Sequence, residues 1–304
     1  STDTPSAVLA QVKDPRLRVL DFSQRQGKNR CLNRAIEVSR GELLVFSDAD
    51  ALLNPDALLK LSRHFTDGSV GGVCGQRVIG SVDHALQSGQ KDYLRFDSLL
   101  KILESRQGHL TSNDGKLFAI RRSLAETIDS AVTDDLFCCL TVLEKGYQFL
   151  FEPAALAGIS IPSRSPQHEI VRRRRIVARS LRGLYLKRRL FNPLRFGVLS
   201  LRLFINKVLR RTLPLALGGL LVSSLGLAAQ HPLFVLLLLL QGSLYLLALS
   251  RQIFGEIQFG GLRWINRLSA TSHYFCLGNY GTLLGLFDFL YGRKIDRWEP
   301  VKVD

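Results

Sequence analysis

Hydrophobic and polar positions alternate in two different ways along the chain, and the change falls near residue 160. Before it, short apolar runs predict strands at Leu17–Phe22 and Val70–Ile79, and apolar positions at helical spacing predict a helix over Gly27–Arg40. The uninterrupted apolar run Leu43–Phe46 is typical of a central parallel strand that is buried on both faces. Strands that alternate with helices at this spacing predict an α/β domain around a mostly parallel sheet.

The second half of the chain has the pattern of membrane helices. Residues 212–250 contain no Asp, Glu, Lys or Arg over 39 positions. A bilayer core takes about 20 helical residues, so we expect two spans, Leu213–Ala229 and Leu233–Leu249, separated by a break at Gln230–Pro232. Two buried helices of a soluble protein are the alternative, but Leu236–Leu240 is apolar on every side of the helix, which favours the membrane.

Positive charge is concentrated in one block of the chain. The 304 residues include 41 Lys and Arg against 26 Asp and Glu, for a net charge of +15. Residues 172–211 hold 14 of those cations and no acid, which leaves 27 cations for the rest of the chain. Because this block precedes the first predicted span, the positive-inside rule predicts that the α/β domain of an integral membrane protein lies in the cytosol. We expect the membrane to be a bacterial inner (plasma) membrane. Five cysteines, an odd number without metal-ligand spacing, fit a reducing location.

The first acidic motif follows the apolar run Leu43–Phe46. A period of two places Asp48 and Asp50 on the same side of the strand end. Ligand crevices of α/β proteins open at that end of the sheet, and two carboxylates there suit a divalent cation that shares its shell with substrate phosphates. A plain turn, in which Asp is common, is the alternative.

The second acidic motif, Thr133-Asp134-Asp135, opens an apolar helix that ends at Gly146. Helix capping by Thr133 or Asp134 is one explanation, since acids favour the first turn of a helix. Capping does not need both acids, so one carboxylate is available as a general base for a substrate hydroxyl. The sequence pattern leaves both explanations open.

The run Arg172–Arg175 has three interpretations: a membrane-surface patch, a nucleic-acid patch or a diphosphate clamp. On a helix, Arg172 and Arg175 share one face, whereas Arg173 and Arg174 point elsewhere. A clamp and a lipid-facing side can therefore coexist. Nucleic acid is the weakest interpretation, because no aromatic residues are interleaved with these arginines, and we predict no nucleic-acid partner.

The order of these parts resembles a known family. Four segments carry the resemblance to its donor-binding half: Gly27–Ala35, Arg40–Glu42, Phe46–Ala51 and Asn54–Leu58. Thr133–Asp135 resembles the family's Thr-Glu-Asp motif, and Ser112–Gly115 resembles its acceptor-side loop. The chain is thus similar to the membrane-integrated family 2 glycosyltransferases of GT-A fold, the branch of the cellulose, chitin, hyaluronan and poly-N-acetylglucosamine synthases.

The resemblance implies roles for the residues of the donor site and the base. Asp50 would ligate Mg²⁺ or Mn²⁺ on the donor diphosphate, and Asp48 would contact the metal or the nucleotide. Lys28 and Asn33 would help to hold the nucleotide. Asp135 would be the base that deprotonates the acceptor hydroxyl.

The resemblance also places the arginines and the start of the chain. Arg172 and Arg175 stand where the family has its Gln/Arg-x-x-Arg-Trp motif, which covers the diphosphate. Ile176 stands in place of the Trp, so the resemblance does not decide whether synthesis is processive. Ser1–Asp3 match the end of the family's Asp-Gly-Ser-Thr-Asp turn, and the chain contains no methionine. We therefore expect the first strand and part of the uracil pocket to lie upstream, so that the isolated chain binds UDP weakly.

The implied fold is a Rossmann-like GT-A domain followed by transmembrane helices. The expected parts are a GT-A domain (1–160), basic interfacial helices (161–211), two transmembrane helices (212–250), and a final region with an interfacial loop, a third apolar stretch and a cytosolic tail (251–304). We expect a membrane-bound inverting enzyme that transfers a sugar from a UDP-sugar to a glycan or lipid-linked acceptor and contacts membrane lipid. The alternatives are a non-catalytic basic scaffold, against which the joint presence of Asp48, Asp50 and Asp135 argues, and a small channel or transporter.

Overall fold

The computed structural model describes residues 8–79, 97–159, 166–255 and 263–295. A sheet of five strands forms the centre of the N-terminal domain. The strands are β1 (Leu43–Ser47), β2 (Ala51–Leu53), β3 (Val70–Ile79), β4 (Leu117–Arg121) and β5 (Gln148–Ile159). Their order across the sheet is β1-β4-β3-β5-β2.

The prediction of a mostly parallel sheet is wrong for the described residues. Of the four strand pairings there, only β3 with β5 is parallel, and the other three are antiparallel. β4 enters between β1 and β3 in the opposite direction, so that the rings of Phe46 and Phe118 stack with their centroids 4.5 Å apart. The apolar pattern reports that a segment is a strand, but it does not report the direction of the strand beside it.

Two further strand predictions need correction. Leu17–Phe22 forms no strand, and Val19 in its middle is 52% exposed. β1 is buried on one face rather than on both, because Leu44 and Phe46 are 7% exposed whereas Val45 between them is 47% exposed. The hydrophobic cluster on the far side of the sheet does not extend to Val45.

Helices cover both faces of the sheet, which confirms the predicted α/β class. They are α1 (Lys28–Val38), α2 (Ala57–Ser62), α3 (residues 97–105), α4 (Asp134–Glu144) and α5 (Pro166–Leu186). Phe118 and Ile120 of β4 belong to the larger hydrophobic cluster, which includes residues of α4 and α5 and which residues of α1 contact. Leu117 and Ala119 belong to the smaller cluster under α2. Successive side chains of β4 therefore belong alternately to the two hydrophobic clusters on opposite faces of the sheet.

Three long helices follow the α/β domain. They are α6 (Val198–Leu227, with a π-helical turn at Phe204–Leu209), α7 (Pro232–Phe254) and α8 (Arg263–Leu290). α6 and α7 are long and apolar enough to cross a membrane, and only 6% and 11% of the residues in their most apolar stretches are buried. These apolar stretches are therefore not buried in the α/β domain, whereas Leu199 and Leu203 at the start of α6 belong to its larger hydrophobic cluster. The predicted break at Gln230–Pro232 is confirmed, because α7 begins at Pro232.

α8 packs along α5 instead of standing apart as a third apolar segment. Two glycines permit the close approach, since a Cβ at Gly285 would lie 2.5 Å from the carbonyl oxygen of Arg174 and one at Gly281 would lie 2.9 Å from the side chain of Arg173. Arg174 and the buried Asp288 form an ion pair, in which Nη2 donates to Oδ1 at 2.8 Å. The acid that interrupts the apolar pattern thus joins α8 to α5.

Candidate active site

The turn between β1 and β2 presents two carboxylates to one cation. Asp48 and Asp50 occupy this turn, and Lys116 reaches it from the residue just before β4. The Lys116 Nζ lies 2.6 Å from Asp50 Oδ1 and 3.1 Å from Asp48 Oδ2. One oxygen of each carboxylate therefore points at the same position.

Lys28 connects this turn to the second acidic motif. It is the first residue of α1, and Gly27 before it has a φ of 84°, a left-handed conformation that favours glycine. The Lys28 Nζ lies 2.7 Å from Asp48 Oδ1 and 2.9 Å from Asp134 Oδ2. Burial opposes the charged ammonium, but the carboxylates of Asp134 and Asp48 outweigh it and raise the pKa of Lys28. The two predicted motifs thus belong to one site.

Asp134 and Asp135 begin α4 without acting as its cap. The cap residue is Thr133, whose side chain makes no capping hydrogen bond. Asp134 pairs with Lys28, and Asp135 accepts a hydrogen bond from the backbone N–H of Leu136 at 2.7 Å. Burial, and then the charge of Asp134, raise the pKa of Asp135 to about 6. A carboxylate with this pKa is ionised at neutral pH and is a competent proton acceptor.

The loop before Asp134 is held by two asparagine side chains of α1. Asn29 donates to the carbonyl oxygens of Asp129 and Val132 at 2.7 and 2.9 Å. Asn33 uses both ends of its amide on Ile128, donating to its carbonyl oxygen and accepting from its N–H, each at 2.9 Å. The Asn33 amide thus holds the loop, and a contact of Asn33 with the nucleotide stays a prediction.

The two arginines of the predicted clamp differ in their surroundings. Arg172 Nη1 pairs with the buried Glu169 at 3.0 Å. Burial, and then the charges of Arg179 and Arg172, lower the pKa of Arg175 to about 10, while the charge of Asp134 acts in the opposite direction. Arg175 therefore lies within the field of the acidic site.

Arg173 and Arg174 point away from the acidic site, as helical spacing predicts. Arg173 pairs with Glu169 at 3.2 Å, and its Nη2 donates to the hydroxyl of Tyr274 on α8 at 3.4 Å. Arg174 pairs with Asp288. Helical spacing allows this side of α5 to face lipid, but the partners of Arg173 and Arg174 in the described part of the chain are protein groups of α5 and α8.

A comparison with known families decides the class of this domain. Residues 1–129 match the model of the family described as Glycosyl transferase family 2. The chain carries a glycosyltransferase family 2 domain. The match covers the segment with Lys28, Asp48, Asp50 and Lys116, whereas Asp135 lies beyond it.

Known proteins extend the likeness of this glycosyltransferase domain at two levels. A mannosyltransferase from Pyrobaculum calidifontis in complex with GDP-Man and Mn²⁺ is 21% identical, covers 96% of this chain and 75% of its own, and superposes with a TM-score of 0.66, which establishes the GT-A fold. An uncharacterized protein of Mycobacterium tuberculosis (strain CDC 1551 / Oshkosh) is 41% identical over 83 residues, which are 27% of this chain and 26% of that protein. The chain thus matches about a quarter of the length of that relative.

The carboxylates of the glycosyltransferase domain fit a divalent cation. Asp48 and Asp50 already converge on a single positive charge, the Lys116 ammonium, at 3.1 and 2.6 Å. Among the described residues, no three His, Cys, Asp or Glu side chains are grouped to enclose a metal. Two carboxylates suit Mg²⁺ or Mn²⁺, which keep several waters and complete their shell with phosphate oxygens.

Sequence reasoning missed two residues of the site. Lys116 stands directly after the acceptor-side segment Ser112–Gly115, but a single lysine carries no pattern. Asn29, which is 2% exposed, lies within the segment Gly27–Ala35, but no spacing pattern distinguishes it from its neighbours there. Both act through contacts about 70 to 100 residues distant in sequence, such as Lys116 with Asp48 and Asn29 with Asp129. The segment Ser112–Gly115 also contacts the site, because Asn113 Nδ2 donates to the carbonyl oxygen of Asp135 at 2.9 Å.

Proposed function

We propose that this protein is a membrane-bound, inverting, metal-dependent glycosyltransferase that transfers a sugar from a nucleoside-diphosphate sugar, in the first place a UDP-sugar, to an acceptor hydroxyl. One observation carries the proposal. Lys28 links the convergent carboxylates Asp48 and Asp50, through Asp48, to Asp134, and the charge of Asp134 helps to raise the pKa of its neighbour Asp135. This site lies at and just beyond the segment that matches family 2 glycosyltransferases.

Each charged residue has a part in this reaction. A bound Mg²⁺ or Mn²⁺ would supply positive charge against the departing diphosphate. Asp48 and Asp50 would hold that ion, while Arg175, Arg172 and Lys28 add cationic side chains around the acids. Asp135 would accept the proton of the acceptor hydroxyl as the acceptor oxygen attacks the sugar carbon. Direct displacement from the face opposite the leaving group inverts that carbon and needs one carboxylate base.

The C-terminal half supports a location at the membrane. α6 and α7 are apolar and mostly unburied, and the cation-rich block of residues 172–211 precedes the end of α6. By the positive-inside rule, the catalytic domain faces the cytosol. We propose the GT-A domain over residues 1–160, basic helices over 161–211 and membrane helices over 212–250, with α8 held against α5. A glycan or lipid-linked acceptor would then be elongated at the membrane surface.

A donor assay tests this function. The full-length gene product, purified in detergent, is incubated with a panel of UDP- and GDP-sugars, with Mn²⁺, with Mg²⁺ or with a chelator, and release of nucleoside diphosphate is measured. We expect release from one donor, only with metal, and its loss in Asp50→Asn. Asp56→Asn is the matched control, because Asp56 pairs with Lys60 on the surface at 2.6 Å and should leave release unchanged.

Three results would contradict the proposal. Release of nucleoside diphosphate at the same rate by Asp50→Asn and wild type would exclude Asp50 as a ligand of an essential metal ion. No release from any donor by the folded protein would favour the scaffold, which should bind anionic vesicles equally well with and without Asp48 and Asp50. Trapping of a covalent sugar–enzyme adduct with a fluorinated donor would exclude direct inversion.

A further inference from the structure

We infer that Lys116 makes metal binding at Asp48 and Asp50 dependent on the donor diphosphate. This inference rests on the proposed function. The Lys116 ammonium lies 2.6 Å from Asp50 Oδ1 and 3.1 Å from Asp48 Oδ2, and it is the cation on which both carboxylates converge. The fold therefore places a protein cation against the oxygens that would bind the metal.

The backbone of Lys116 is fixed on both sides. Leu117, the first residue of β4, is paired with Ser47 at the end of β1, and the Ser47 hydroxyl donates to the Lys116 carbonyl oxygen at 3.0 Å. The Lys116 N–H donates to Asp114 Oδ1 at 3.2 Å. Asp114 is buried, and its Oδ2 forms an ion pair with Arg77 Nε at 3.3 Å. The freedom of Lys116 is thus confined to its four-carbon side chain, so the ammonium can leave the carboxylates without a movement of the sheet.

An ammonium and a divalent ion cannot occupy the same position between Asp48 Oδ2 and Asp50 Oδ1. Metal binding at Asp48 and Asp50 therefore has to displace Lys116, and a displaced ammonium near a dication is repelled. A nucleoside diphosphate removes both penalties, because its phosphate oxygens coordinate the metal and give the Lys116 ammonium a new anionic partner. Metal alone should bind weakly, and metal with nucleotide should bind tightly. Linkage requires that each raises the affinity of the other by the same factor.

Lys28 cannot supply this control, although it contacts Asp48 as well. Its ammonium lies between Asp48 Oδ1 and Asp134 Oδ2 and makes no ion pair with Asp50 among the described residues. It can keep both of its partners while a metal takes the oxygens that Lys116 holds. The two lysines therefore have separate functions: Lys28 joins the two acidic motifs, and Lys116 competes for the metal position.

A binding experiment that needs no turnover tests the inference. The dissociation constant of Mn²⁺ is measured by electron paramagnetic resonance on the purified full-length protein, without nucleotide and with UDP or GDP, for wild type and Lys116→Met. We expect Mn²⁺ alone to bind about tenfold more tightly to Lys116→Met, and we expect the gain in Mn²⁺ affinity caused by nucleotide to fall by a similar factor. Lys116→Gln should behave in the same way and guards against a folding defect in one variant.

Lys60→Met is the matched control. Lys60 pairs with Asp56 at 2.6 Å and is likewise partly buried, but it lies outside the site. Its removal changes the net charge equally and should leave Mn²⁺ binding unchanged. Unchanged or weaker Mn²⁺ binding in both Lys116 variants, with wild-type thermal stability, would overturn the inference while leaving the proposed function intact. If wild type binds no Mn²⁺ even with nucleotide, the proposed metal site and this inference are both wrong.

Discussion

Replacement of Asp135 by asparagine should stabilise the protein while it abolishes activity. Asp135 lies at the start of α4 beside Asp134, and Lys28 pairs with Asp134 and Asp48 rather than with Asp135. Burial, followed by the charge of Asp134, raises the pKa of Asp135 from 3.8 to about 6. At neutral pH the folded protein therefore holds a carboxylate in a position that disfavours its charge.

The pKa gives the size of the effect. A tenfold change in acidity corresponds to ~1.4 kcal/mol, so ionised Asp135 costs the folded state about 3 kcal/mol at pH 7.5. Asparagine removes this cost but accepts the hydrogen bond of Leu136 less strongly than a carboxylate does, and we expect a net gain of about 1–2 kcal/mol. For a domain of this size that is a rise in melting temperature of roughly 2–8 °C. Because the raised pKa makes the folded state bind the proton more tightly, the gain should shrink as pH falls through 6 and vanish near the unfolded value, about 4.

Thermal unfolding of both proteins in one detergent, followed by circular dichroism at pH 4.5, 6 and 7.5, measures this gain. Asp134→Asn is the contrasting variant, since it removes the 2.9 Å ion pair with Lys28 and should lower the melting temperature at pH 7.5. A melting temperature of Asp135→Asn at or below wild type at pH 7.5 would refute the reasoning. A gain that does not depend on pH would refute it as well.

Three further predictions follow from the same contacts. The value of kcat/KM should decrease below pH about 6, because Asp135 must be ionised to accept a proton. Asp134→Asn removes a charge that raises the pKa of Asp135 and should move this decrease to lower pH; an unchanged pH profile would contradict the assignment of Asp135 as the base. Arg175→Met should weaken nucleotide binding by about tenfold in calorimetry, whereas exposed Arg188→Met should not, and equal effects would exclude a clamp. Asp288→Asn should destabilise the contact of α8 with α5 by about 1–2 kcal/mol, and a double-mutant cycle with Arg174→Met should show coupling; additive effects would contradict a direct pair.

The predictions that succeeded rest on local patterns. Helical spacing predicted α1 over Gly27–Arg40, and the structure has Lys28–Val38. Val70–Ile79 is a strand with the predicted bounds. The apolar run of residues 212–250 forms parts of two helices with the expected break before Pro232. These features depend on neighbours in sequence, whose periodicity a single chain displays.

The predictions that failed depend on partners distant in the chain. The prediction of a mostly parallel sheet was wrong because β4 lies between β1 and β3 and is antiparallel to both. The convergence of Asp48 and Asp50 on Lys116 joins residues 68 and 66 positions apart, and no local spacing encodes it. The contact of the Asn33 amide with the backbone of Ile128 joins residues 95 positions apart and is likewise not encoded locally, while nucleotide binding by Asn33 stays a prediction.

The most direct test of the account compares turnover with donor binding in Asp135→Asn. The full-length protein and the variant are assayed side by side for sugar transfer and for nucleotide binding in the presence of Mn²⁺. If Asp135 is the base, the variant keeps the nucleotide dissociation constant within about twofold and loses transfer by about 10²–10⁴-fold. A variant that retains a tenth or more of wild-type transfer, with the donor bound, would show that Asp135 does not carry the proton.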